Sequence, residues 1–320
     1  MQNTTDLIIK AINYHHPEEI PVYVGILPAA MKKYGDDIKK ILKKYPAFFG
    51  DYWLEYGYEK NLPFSYNYGS FTDAWGCVWS NKHEGMESYV TGHSIPNRED
   101  ILTLKVPETD MGLPHGFMYL RLLDLRGFEE AMIDFAEECD ELQILIDKVC
   151  NYNVRQMKIR CENDKSLLIG VGDDQGMQKG LAIGANKWRK YLKPAFKRIY
   201  DVCREYEKYV YMHTDGDIIE IMPDLIEAGV SIINPQFRAN GIDRLIQTCK
   251  GKIPIMLDLD RQLFPFATPK DLRDHVRETV EKMYMPEGGL GINIEIGMEV
   301  PLENIDALFD EMDKMRLYRG

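Results

Sequence analysis

The chain has 320 residues, 39 of them Lys or Arg and 51 Asp or Glu, for a formal net charge of −12 with 45% hydrophobic and 28% charged residues. So acidic a chain lacks the basic footprint that neutralises phosphates and would be repelled by anionic membranes, so small molecules and protein partners fit better than nucleic acid or lipid. The apolar content excludes a disordered chain and is enough for a large core, and no apolar run nears the roughly 20 residues of a membrane span.

The N-terminal stretch shows no basic region followed by an apolar segment, which predicts no secretory leader. Cys77, Cys139, Cys150, Cys161, Cys203 and Cys249 are scattered without Cys-x-x-Cys spacing, which predicts reduced thiols and a cytoplasmic setting.

In chain order, Asp6 to His16 is a short amphipathic segment, and Pro21 to Leu27 (PVYVGIL) reads as a buried strand. From about 47 to 107 the sequence is aromatic and punctuated by glycine, with Tyr52, Trp53, Tyr56, Tyr58, Tyr68, Trp75 and Trp79 in no regular period. It predicts loops and short elements inserted over one end of a core. Tyr119 to Glu162 predicts two helices broken near Gly127.

After Lys165 the pattern becomes regular. Apolar runs at Leu167–Gly172, Tyr209–His213, Ser231–Asn234, Pro254–Asp258 and Gly289–Ile296 alternate with helical stretches. One of these should close on Gly229 as a C-cap, and another should open with Thr268 as N-cap, Pro269 at the first helical position and Asp271 in the first turn. Such alternation predicts a parallel sheet covered on both faces. The length favours a single domain over residues 1–320, a (β/α)₈ TIM barrel with an N-terminal aromatic-rich insertion. An open doubly wound sheet is the alternative, but no GxGxxG or GxxxxGK[ST] follows a strand.

In a barrel, functional groups come from the carboxyl ends of strands. Here those ends carry Asp173, Asp174 and Gln175, then His213, Asp215 and Asp217, then Asn234 and Gln236, then Asp258, Asp260 and Arg261, and finally Glu295. Each has a plain structural reading: Asp174 or Asp217 as a helix cap, His213 as a core histidine, Asp258 or Asp260 as an ion-pair partner of Arg261 or Arg238. Their convergence on one mouth is what suggests a site. His213 and Asp215 are two residues apart at a strand end and share a face. With Glu295 or Asp258 they would give a nitrogen and oxygen shell suited to Zn²⁺, and equally open to Mn²⁺ or Mg²⁺.

The segments GVGDDQGMQKGL, HTDGDIIEIMPDLIEAGVSIINPQ, LDLDRQLFPFATPKDLRDHV and GMEVPLENIDAL resemble the uroporphyrinogen decarboxylase superfamily, most of all its corrinoid-linked methyltransferases, and the N-terminal stretches AINYHHPEEIPVYVG and FTDAWGCVWSNKHEGM do so too. The resemblance implies a (β/α)₈ barrel and an enzyme acting with a corrinoid carried by a partner protein.

That branch holds zinc through a His-x-Cys pair and a later Cys. The match here is His213-x-Asp215, no cysteine follows Cys249, and Glu295 is the coordinating residue at the late position. Carboxylates in place of thiolates make an ion a stronger Lewis acid, suited to polarising the oxygen or nitrogen of a methyl donor. The family's decarboxylases bind a polycarboxylate through N-terminal arginines, whereas this chain has none before Arg98. Like charges within a few ångströms cost on the order of 1 to 4 kcal/mol per pair, which opposes such a substrate at an acidic mouth.

The expectation is therefore a metal-assisted methyltransferase that moves a methyl group from a small methylated compound, such as an aromatic methyl ether, to a corrinoid protein. Its expected metal ligands are His213, Asp215 and Glu295, its acid/base or positioning groups Asp174 and Asp258, and its substrate contacts Tyr68, Trp75, Gln178, Asn234 and Gln236. A carboxy-lyase and a non-catalytic ligand-binding barrel are the alternatives.

Overall fold

The computed structural model describes residues 4–55 and 62–320; Tyr56 and Tyr58 of the aromatic segment, and the side chains of Tyr52 and Trp53, lie outside what is described. The strands among the described residues are β1 (Val22–Ile26), β2 (Gly69–Thr72), β3 (Val78–Asn81), β4 (Tyr89–Gly92), β5 (Leu168–Gly172), β6 (Tyr209–Thr214), β7 (Ile232–Pro235), β8 (Ile255–Asp258) and β9 (Leu290–Ile296). All six strands expected from the apolar runs form, and they lie in parallel ladders between helices, an α/β fold.

The chain divides into two compact units. One comprises Met1–Gly69, Asn81–Ser88 and Gly241–Gly320; the other comprises Ser70–Ser80 and Tyr89–Asn240. The aromatic-rich segment is thus shared between them.

In the first unit β9 is central, with β1 on one side (Val22 beside Ile292) and β8 on the other (Asp258 beside Asn293). Its strands are apolar almost throughout, as a sheet covered on both faces requires. Tyr45 and Phe49 pack on Phe309 of the C-terminal helix Leu302–Met315, at ring separations of 5.8 and 5.1 Å. The helix Pro269–Met283 opens with the expected capping box: Thr268 Oγ1 accepts from the Asp271 N–H, and Asp271 Oδ2 accepts from the Thr268 N–H.

In the second unit β6 lies between β5 and β7, with Gly172 beside His213 and His213 beside Asn234. Its core is a run of rings in which Phe196 meets Phe117, Trp188 and Tyr200 at 5.8–6.1 Å. Strands β2, β3 and β4 make a separate small sheet.

The Tyr119–Glu162 region departs from expectation. It forms three helices, Tyr119–Arg126, Phe128–Glu137 and Asp140–Asn163. The break at Gly127 was legible, but the second break is at Glu138, a non-glycine residue in the left-handed region (φ 56°) whose carboxylate is held by Lys190 and Tyr191. The helix closes there by a local cap, the Glu138 N–H donating to the Asp134 carbonyl. The helix expected from about Asn186 to Tyr206 likewise contains a π turn at Trp188–Leu192, a local widening that often lies near functional sites. Gly229 closes Met222–Ala228 in the left-handed conformation, as expected (φ 116°).

Candidate metal centre

The site is built in the second unit where β5, β6 and β7 end. In a parallel ladder, register partners point to the same side, so Gly172, His213 and Asn234 form one row across three strands. Asn234 Oδ1 lies 2.7 Å from His213 Nδ1. An amide oxygen only accepts, so Nδ1 is the donor of this hydrogen bond and Nε2 is the ring nitrogen that faces outward. That nitrogen is 3.2 Å from Asp215 Oδ1 and 3.9 Å from Asp174 Oδ1. One ligand atom from each of Asp174, His213 and Asp215 lies within 4.8 Å of the others, all three residues being partly buried.

The loops after β5 and β6 hold these groups by backbone contact. The Asp215 N–H donates to Asp174 Oδ1 at 2.9 Å, and the Gly176 N–H donates to the Asp215 carbonyl at 3.1 Å. A Cβ on Gly216 would lie 2.2 Å from the Gly176 carbonyl carbon, so only glycine lets the two loops meet. Gln236 Oε1 accepts from the Gly216 N–H at 3.0 Å. Fully buried Asn240 accepts from the Ile218 N–H and donates to the Gly216 and Gln236 carbonyls. Gln175 bridges the Asp173 carbonyl and the Trp188 indole, tying the π turn to the loop that carries Asp174.

His115 is the neighbour of this cluster that the sequence did not reveal. Its Nε2 lies 3.1 Å from Asp174 Oδ2, and its ring centre is 5.8 Å from that of His213. It occupies the place left by Gly172, where an added Cβ would fall 2.5 Å from His115 Nδ1. It sits in a Pro- and Gly-rich stretch, without the strand-end position that flagged the other residues.

Asp173, by contrast, is turned inward and serves the fold. Its carboxylate accepts the N–H groups of Met118, Tyr119 and Leu120 at 2.7, 2.7 and 3.0 Å, capping the helix that follows His115. Burial pushes Asp173 up to about 7, against the pull of those three donors. Burial alone would also raise Asp174, but the hydrogen bond and charge of His115 outweigh it and hold Asp174 below the usual carboxylate range. Reciprocally, burial disfavours charge on His115, and Asp174 more than compensates, so that imidazole is raised.

The remaining expected site residues are placed as follows. Asn234 and Gln236 belong to the framework just described. Trp75 is 5% exposed and packs edge-on against Tyr152 at 5.1 Å. Its neighbour Asp73 organises that turn by accepting from Trp79 Nε1 and Arg121, and from the backbone N–H groups of Trp75 and Cys77. Tyr68 is 72% exposed, and Gln178 is exposed in the loop after β5. In the first unit, buried Asp258 accepts from Asn293 Nδ2 at 2.6 Å, and Glu295 pairs with Arg261.

The donor set of one neutral imidazole nitrogen and two carboxylates fits a divalent ion. An imidazole lone pair facing two carboxylates is mutually repulsive until a cation or proton lies between them, and Zn²⁺, Mn²⁺ and Mg²⁺ all accept oxygen ligands.

Comparison with known proteins is consistent with this architecture. A methyltransferase from Methanosarcina mazei shares the fold at TM-score 0.67 and 16% identity, over 98% of this chain and 99% of that one. Partial likenesses extend to a Xanthomonas albilineans dihydropteroate synthase (TM-score 0.32, 13% identity, 47% of this chain and 54% of that one) and to xylanase B of Clostridium stercorarium F9 (0.33, 12%, 51% and 60%). No curated protein matches the sequence. The sequence model of uroporphyrinogen decarboxylase (URO-D) matches residues 122–315, more than half of the chain, and the protein belongs to that family.

Proposed function

We propose that this protein is a methyltransferase that moves a methyl group between a small methylated compound and a corrinoid protein, with a divalent metal, Zn²⁺ in the first instance, at Asp174, His213 and Asp215. The observation that carries the reading is the orientation of His213: Asn234 Oδ1 accepts a hydrogen bond from Nδ1–H, and Nε2 faces two carboxylates. The motif resemblance across the chain supports the reaction class, and the methyltransferase from Methanosarcina mazei has the same fold. The alternating strands and helices support a closed (β/α)₈ barrel with residues 47–107 over its mouth.

A bound divalent ion would supply Lewis acidity, drawing electron density from the donor's oxygen or nitrogen. The electron pair of the heteroatom–methyl bond would stay on the heteroatom, and the reduced corrinoid of the partner protein would supply the pair that holds the transferred methyl group. The chain's own residues hold the geometry. Asn234 fixes the His213 tautomer, the Asp215 N–H orients Asp174, and His115 keeps a proton at Nε2 beside Asp174. In this reading Asp174 is a ligand, while Asp258 and Glu295 are positioning groups of their own unit.

The absence of arginine before Arg98 supports methyl transfer over decarboxylation of a polycarboxylate. The test is to mix the protein with a reduced corrinoid protein and a panel of methyl donors, including aromatic methyl ethers, and to follow the cobalt spectrum. Conversion to the methylated spectrum is expected. No transfer to any donor, with turnover of a porphyrinogen, would replace this reading by the carboxy-lyase one.

A further inference from the structure

We propose that His115 is a positioning residue that makes Asp174 a one-oxygen ligand and so tunes the site toward small ions of low coordination number; the inference rests on the metal-centre reading above. The two oxygens of Asp174 have different partners. Oδ2 lies 3.1 Å from His115 Nε2, whereas Oδ1 accepts the Asp215 N–H at 2.9 Å and is the oxygen 3.9 Å from His213 Nε2. A carboxylate is an acceptor, so the His115 nitrogen facing it carries the proton. Each oxygen thus accepts one N–H, but Oδ1 is the one near His213 Nε2 and keeps a lone pair for an ion shared with that nitrogen, while the imidazole holds Oδ2 on the His115 side.

The position of His115 is built into the fold at three points. Gly172 lacks the Cβ that would collide with the ring, the Gly116 N–H is anchored on the Gly172 carbonyl at 2.8 Å, and Asp173 caps the helix that starts just beyond. Gly172 also falls in the row of His213 and Asn234. The same row therefore orients one ligand through Asn234 and makes room for the residue that orients the other.

One-oxygen carboxylate ligation suits tetrahedral Zn²⁺, while Ca²⁺ takes six to eight oxygens and favours carboxylates that offer both. Loss of the His115 N–H should weaken Zn²⁺ and narrow the preference for Zn²⁺ over Ca²⁺.

The test uses the purified full chain, stripped of metal and titrated with Zn²⁺ by calorimetry with chelator competition, and with Co²⁺ by visible absorption. His115→Phe keeps a ring in the space beside Gly172 and removes the donor; His115→Gln keeps an N–H able to reach Asp174. His115→Phe is expected to weaken Zn²⁺ by about 10- to 100-fold and to shift the Co²⁺ bands, with an unchanged melting temperature. His115→Gln is expected to restore affinity and spectrum close to wild type.

Wild-type Zn²⁺ affinity in His115→Phe, or equal loss in both variants, would overturn the positioning role while leaving the metal centre standing. Failure of the wild-type chain to bind one Zn²⁺ would overturn both. Should His115→Phe not fold, His115→Gln with wild-type affinity but His115→Ala without it would give the same answer.

Discussion

His115 Nδ1 lies 2.5 Å from where a Cβ of Gly172 would stand, so an imidazole at the centre of the site fills the room of a missing side chain. Gly172→Ala should displace the ring. The fold should lose about 1 to 3 kcal/mol through local overpacking, and Zn²⁺ affinity should fall in parallel with that of His115→Phe. Thermal melting and metal titration of the same sample separate the two effects.

Asn234 sits 2.7 Å from His213 Nδ1 and is nearly inaccessible to solvent. Asn234→Leu removes the acceptor that fixes the tautomer, and about a 10- to 100-fold weaker metal affinity is expected. Asn234→Asp keeps an acceptor and should retain affinity. Competition with a chelator of known strength measures both.

Asp174 and Glu295 make opposite predictions. Asp174→Asn should sharply reduce Zn²⁺ binding. Glu295→Gln, which removes a charged partner of Arg261 and none of the clustered ligand atoms, should leave Zn²⁺ binding close to wild type. Equal losses would restore Glu295 to the ligand set.

Asp173 should matter for the fold more than for the metal. Asp173→Ala strands three N–H groups at the start of Tyr119–Arg126, and a cost of about 3 kcal/mol or more is expected in denaturant unfolding. Because that helix follows His115, a weakened metal site should accompany the loss of stability.

Asp224 gives an acid limb to stability. Burial would raise its carboxyl, but hydrogen bonds from Lys193 at 2.6 Å and Arg189 at 2.9 Å prevail and hold it below the usual range. A depressed carboxyl contributes stability that is complete above the unfolded value of about 3.9 and is lost as pH falls through the lower folded value. Asp224→Asn should therefore cost roughly 1 kcal/mol at neutral pH, and the difference from wild type should shrink as pH drops below about 4. Melting curves across that range check the sign.

The parallel strands were readable because each is a short apolar run between helical patterns, and the strand-end rule then gathered Asp174, His213 and Asp215 among its candidates. It cast Glu295 as the third expected ligand and Asp174 as an acid/base or positioning group, whereas the clustered carboxylates are Asp174 and Asp215. Asn234 was visible as a polar strand-end residue, but its task depends on register, since it must stand beside His213 in the ladder. His115 was not readable: it lies far from His213 in sequence, and its place is made by a glycine on another element. The second break in the Tyr119–Glu162 region was hidden because Glu138, a residue that carries no glycine signal, takes the left-handed conformation that ends the helix. Trp75, expected among the substrate contacts, is buried edge-on against Tyr152, and the Asp73 turn that holds it was not visible in the irregular aromatic spacing.

The most direct test of the metal centre is the metal-to-protein ratio of the purified chain after loading with Zn²⁺ and removal of excess, for wild type and for His213→Ala. One ion per chain is expected in the wild type, and loss of that ion in His213→Ala with the fold retained. A substoichiometric wild type, or a ratio that His213→Ala leaves unchanged, would contradict that expectation.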